Sequence, residues 1–205
     1  SEVHFALLLF YIILQILIKN QCKIISFNFV KKKKIIDLKI LTESDVSKRY
    51  HYWMNDKNVL RYTAQFGSKH GIKDIMNFVR EKRKSKNEFL YGIFIYNQNN
   101  SFKEHIGNIK LGPINLRNLT ADVSYLIGEK KYWGKGYATL AVNKIIKIAK
   151  KKFKLKKLQA GHQKNNLGSS KVLLRNKFKL EGIFKSQIRT SKNKRTDRYV
   201  YGLIL

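Results

Sequence analysis

From Ile35 onward, two spacings of apolar residues alternate along the chain. "IIDLKIL" (35–41) is β-branched and alternating, which predicts a strand, because successive strand side chains point to opposite faces. The polar cluster Thr42, Glu43, Ser44 and Asp45 suits a helix N-cap, and "DVSKRYHYWMN" then carries a helical face of Val46, Arg49, Tyr50 and Trp53. Ile72, Ile75, Met76 and Val79 predict a second helix within 71–84. "FLYGIFIY" (89–96), the turn "NQNNS" and "HIGNIKLGPI" (105–114) predict a β-hairpin, and "TADVSYLIG" (120–128) extends it to an antiparallel meander. A helix follows over 137–151, with Leu140, Ala141, Ile145, Ile148 and Ala149 apolar. "KLKKLQAGH" (154–162) is the next strand, and a strand–helix–strand crossover favours parallel pairing. A short helix (168–176) and a final hairpin from 178–188 and 198–205 complete the pattern. The expected fold class is α/β of the α+β type, with one mixed, mostly antiparallel central sheet flanked by helices.

The first 34 residues follow neither period. Phe5 to Ile18 is almost wholly apolar, and Lys19, Lys23 and the run Lys31–Lys34 follow it. The apolar run is shorter than the ~20 residues that a membrane span needs. It lacks the basic start and small-residue cleavage site of a signal peptide. The expected organisation is therefore an N-terminal extension, 1–34, and one domain, 35–205. The extension reads as a membrane-surface or marginal anchor, a packing helix or a non-native segment.

Charge changes the picture less than its size implies. The net charge is +30, but nine of the 43 basic residues are Arg and the rest are Lys scattered through most segments. Such a field attracts anions in general and gives little ground for a nucleic-acid partner. The one cysteine, Cys22, excludes an internal disulfide and a cysteine-based metal cluster, and no paired His or Cys spacing points to a metal. A reducing, cytoplasmic location fits.

The chemistry-bearing motif is "YWGKGYATLAV" from Tyr132. Gly134 and Gly136 sit between a predicted strand and a predicted helix. Glycine opens backbone conformations that let N–H groups converge on an anion, and the helix behind adds its positive end. A phosphate or pyrophosphate is the natural ligand; a plain tight turn is the alternative. Neither a Walker loop nor a dinucleotide GxGxxG is present.

"KKYWGKGYAT" resembles the acetyl-CoA signature Arg/Gln-x-x-Gly-x-Gly/Ala of the GNAT N-acetyltransferases, with Lys131, Gly134 and Gly136 at the motif positions. "NNLGSSKVLLRNKFKLEG" (165–182) resembles their second conserved segment through Asn166, Ser169, Phe178, Glu181 and Gly182. "IGNIKLGPI" and "YLIGEKKYWGKGYAT" resemble the subgroup of ribosomal-protein N-terminal acetyltransferases and surface-polysaccharide amino-sugar acetyltransferases. Two departures stand out. Lys177 replaces the usual glycine before Phe178, and Leu173 stands where many members carry a tyrosine acid.

The resemblance implies a GNAT-like fold and a direct transfer of acetyl from acetyl-CoA to a primary amine, either an amino sugar on a nucleotide carrier or a protein N-terminus. It places coenzyme contacts at Ile127, Lys131, Tyr132, Trp133, Gly134, Lys135, Gly136, Tyr137, Ala138 and Asn166. The strands near 120–128 and 154–162 are expected to splay around the coenzyme. Asp122, His162 and Glu129 are the candidates for the base that takes the ammonium proton, and Glu129 also suits a loop cap. Ser169 is the candidate acid, with a helix-capping role as its alternative. Tyr52, Trp53, Tyr62 and Phe66 either line an acceptor pocket or pack the core. The competing function is a basic RNA- or ribosome-associated binding module on the same fold, which the changes at Leu173 and Lys177 would suit.

Overall fold

The computed structural model describes residues 11–16, 36–96, 103–190 and 194–205 of the 205. The turn expected at 97–101 and most of the apolar run expected at Phe5–Ile18 lie outside them. The chain divides into two units, Ser1–Lys34 and Ile35–Leu205. In the first, residues 11–16 are helical and exposed. No helix among the described residues is long and apolar enough to cross a membrane.

The second unit holds strands β1 (Ile36–Ile40), β2 (Phe89–Tyr96), β3 (Lys103–Asn115), β4 (Thr120–Ile127), β5 (Lys157–Gln163), β6 (Lys179–Arg189) and β7 (Arg195–Ile204). They form one seven-stranded sheet in the order β1-β2-β3-β4-β5-β7-β6. Among the described residues only β4 and β5 pair in parallel, and every other neighbouring pair is antiparallel. The final hairpin folds back, so that β7 rather than β6 lies against β5.

The helices are α1 (Lys48–Trp53), α2 (Lys57–Leu60), α3 (Ile72–Lys84), α4 (Tyr137–Lys151) and α5 (Leu167–Arg175). The helix expected from Asp45 starts later. Thr42 and Asp45 close a capping box on a 3-10 turn at Glu43–Asp45, and Ser47 caps α1 by accepting from the Tyr50 N–H. The four-residue α2, begun by Asp56, carries too short a period to read from sequence.

The two faces of the sheet bury separate cores. On one, Ala141, Val142, Ile145 and Ala149 of α4, Leu173 of α5 and Phe178 pack on Ile109, Leu111, Ala121, Val123, Leu158 and Tyr201. On the other, Tyr50, Trp53, Val59, Ile75 and Val79 pack on Leu41, Leu90 and Phe94. Trp53 is thus core, whereas Tyr52 is exposed and Tyr62 and Phe66 are half-buried. This places α1–α3 over the β1–β3 half of the sheet and leaves the β4–β5–β7 half of that face open.

Candidate active site

The site begins where a strand pair ends. Thr120, Ala121 and Asp122 of β4 pair with Lys157, Leu158 and Gln159 of β5, and no pairing joins the strands beyond. From Val123 to Ile127 β4 stays bonded to β3 alone, while β5 continues against β7. A wedge therefore opens toward the C-terminal ends of both strands. The β4 edge that faces it offers backbone groups unpaired with β5.

At the open end of the wedge lies the glycine loop. Gly134 has φ 70° and Gly136 φ 84°, left-handed values that L side chains rarely adopt. The Tyr132, Trp133 and Lys135 N–H groups donate within the loop to the carbonyls of Glu129, Lys130 and Tyr132. Among the described residues no hydrogen bond takes up the amides of Gly134, Gly136, Ala138 and Thr139, at the positive end of α4. Among the described residues, chain neighbours aside, nothing lies within 4 Å of where a Cβ would stand on Gly134 or Gly136, which leaves space for a ligand beside both glycines. The Trp133 indole donates to the Ile127 carbonyl at 2.7 Å, tying the loop to β4.

The Lys131 side chain is engaged in an ion pair. It pairs with Glu104 at 2.9 Å, and Arg49 at 2.8 Å and the Tyr132 hydroxyl at 2.6 Å converge on the same carboxylate. Burial alone would raise the Glu104 pKa, but Tyr132, Lys131 and Arg49 outweigh it and hold the carboxyl below the usual range. The Glu129 backbone carbonyl accepts the Tyr132 N–H, while its carboxylate makes no cap hydrogen bond to the turn and lies 3.7 Å from Arg49.

The register separates the candidate bases. Asp122 stands beside Gln159, so Gln159 and Gly161 share its face, and His162 lies on the other. Asp122 opens onto a cleft of about 440 Å³ lined also by Lys110, Ser124, Gln159, Phe184 and Arg198. The crowded cleft walls desolvate its carboxyl and raise its pKa, while Arg198 and Lys110 pull in the opposite direction. His162 is 5% exposed, stacks on Tyr201 at 5.2 Å and bonds the Gln163 carbonyl through Nδ1; its Nε2 is buried with no partner among the described residues.

On the α4–α5 face, Asn166 rather than Ser169 caps α5, its side chain accepting the Ser169 N–H at 3.1 Å. That leaves the Ser169 hydroxyl for Tyr125 of β4, whose Oη lies 2.7 Å from Ser169 Oγ. Burial raises the Tyr125 pKa to about 12, against the lowering effect of Ser169. The two hydroxyls join β4 to α5 on the wedge side, and sequence reasoning missed Tyr125. The strand reading of "TADVSYLIG" placed Tyr125 on β4 but gave it no partner. Leu173 is fully buried. The end of α5 is a Schellman motif: Phe178 N–H reaches the Leu173 carbonyl, Lys177 N–H reaches that of Leu174, and Lys177 takes φ 66°. The lysine thus adopts the conformation for which glycine is usual.

Comparison with known proteins agrees with this geometry. Residues 36–179 match the family described as "Acetyltransferase (GNAT) domain", and the chain belongs to that family. It is 32% identical over 111 residues to the probable N-acetyltransferase YjcK of Bacillus subtilis, covering 54% of this chain and 59% of the relative. It is 30% identical over 101 residues to the uncharacterized N-acetyltransferase p20 of Bacillus licheniformis, covering 49% and 56%. The matches thus span less than two thirds of these relatives' length. Among solved structures, the fold resembles RimL, a ribosomal L7/L12 α-N-protein acetyltransferase in complex with coenzyme A, with TM-score 0.72, 19% identity and coverage of 83% and 94%. It also resembles spermidine N-acetyltransferase from Vibrio cholerae in complex with CoA and spermine, with TM-score 0.71, 16% identity and coverage of 82% and 95%.

Proposed function

We propose that the chain transfers the acetyl group of acetyl-CoA to a primary amine, with the coenzyme held in the β4–β5 wedge and the amine entering from the Asp122 cleft. The observation that carries this reading is the unbonded amide set of Gly134, Gly136, Ala138 and Thr139 at the mouth of the wedge. Backbone N–H groups at a helix N-terminus suit a diphosphate, and the open Cβ directions of both glycines leave room for one. Acetyl-CoA supplies the activated thioester.

The protein's part is positioning and proton handling. Asp122 is the base: it lies where the strands part, and its raised pKa makes it a better acceptor for an ammonium proton than an ordinary aspartate. His162, packed on the opposite face, serves better as a wall of the wedge than as a partner of Asp122. Ser169, held by Tyr125, is the hydroxyl that donates toward the departing thiolate in place of the acid missing at Leu173. The acceptor is a small amino sugar more readily than a protein N-terminus, because its site is a cleft rather than an extended groove.

A thiol-release assay over amino sugars, N-terminal peptides and polyamines tests the reading. Acetyl-CoA-dependent release with a primary amine is expected. Coenzyme binding with no release on any amine would favour the binding-module function instead.

A further inference from the structure

The cleft beside Asp122 carries a charge that proton transfer does not use. Arg198 of β7 lies across Gly161 of β5: a Cβ at 161 would stand 2.7 Å from Arg198 Nε, so the glycine leaves the guanidinium its place. Lys110, on the opposite wall, is already paired with Glu88, which also takes Lys82. Arg198 makes no ion pair among the described residues. Beside it Phe184 is 51% exposed, and Gln159 and Ser124 add an amide and a hydroxyl.

We infer that this cleft selects an amine bearing a phosphate group, of the size of a phosphorylated amino sugar, with Arg198 as the specificity-determining residue. The inference rests on the acetyl-transfer reading above. A guanidinium presents a planar fork of donors that matches a phosphate bidentately. Phe184 offers a flat apolar surface to a sugar ring, Gln159 and Ser124 can bond its hydroxyls, and Asp122 faces the ammonium. The lining holds one carboxylate against two cations. A polyamine would bring several ammonium groups to a cleft with a single acid, and like charges disfavour it.

Binding decides the matter independently of turnover. The wild-type protein is first saturated with coenzyme A, then titrated calorimetrically with glucosamine 6-phosphate, glucosamine and spermidine. Glucosamine 6-phosphate is expected to bind at least about tenfold more tightly than glucosamine, and spermidine more weakly than either. Arg198→Gln should remove the phosphate preference, and Arg198→Lys should keep part of it, while both retain the parent's affinity for coenzyme A. Equal affinity for the two sugars, or a preference that survives Arg198→Gln, would overturn the inference. A failure of coenzyme A to bind in the first step would instead remove the acetyl-transfer reading.

Discussion

The sharpest claims at the scale of the residue concern Asp122. A carboxylate with a raised pKa accepts a proton only above that value, so kcat/KM should climb with pH through it. Asp122→Asn should lower kcat by roughly 10²–10⁴-fold and abolish that limb of the profile. Stability should move in the other direction. The folded state holds this proton more firmly than the unfolded chain does. Its contribution is therefore present below the ordinary aspartate pKa and is lost as pH rises through the folded value. At pH 7 the Asn variant should melt no lower than the parent, and a lower midpoint would show that the carboxylate supports the fold. Tyr125→Phe removes a partly buried hydrogen bond to Ser169 and should cost about 0.5–1.5 kcal/mol in denaturant unfolding. If Ser169 acts on the thiolate, the same variant should lower kcat without changing KM for acetyl-CoA.

Among the elements, the loop from Glu129 to Gly136 depends on β3. Glu104 gathers Arg49, Lys131 and Tyr132, the last two from the segment just before the unbonded amides. Glu104→Gln should weaken coenzyme binding and cost about 1–3 kcal/mol of stability, read by calorimetry and chemical denaturation. Because the folded Glu104 pKa is lowered, its contribution is present above the ordinary glutamate value and is lost as pH falls through the lowered one. The variant should therefore flatten acid unfolding; an unchanged acid limb would contradict this account. Some of the elements were legible in the sequence. "FLYGIFIY" became β2 and residues 137–151 became α4 within the expected bounds, the first as a continuous apolar run covered on both faces, the second because it keeps a helical period. The separation of Asp122 from His162 was not legible. Alternation fixes faces within a strand, but only the Asp122–Gln159 register ties one strand's faces to another's.

At the scale of the whole molecule, the two glycines and the two motifs pointed to the right superfamily, because each motif describes local backbone chemistry. Strand order was hidden: nothing in "FKLEGIFKSQI" or "RYVYGLIL" says which of them will meet β5. The Arg198 side of the cleft was hidden with it, since Arg198 reaches Gly161 only through the β5–β7 pairing. The central claim is that free amides on an open wedge hold the diphosphate of acetyl-CoA. Titration of the parent and of Gly136→Val with acetyl-CoA, followed by thermal midpoint, tests it most directly. At ~100 times its Kd the ligand should stabilise the parent by about 2.7 kcal/mol, raising the midpoint by roughly 5–10 °C, and leave Gly136→Val unmoved. A parent midpoint that stays fixed up to millimolar acetyl-CoA, or equal shifts for both proteins, would contradict the account.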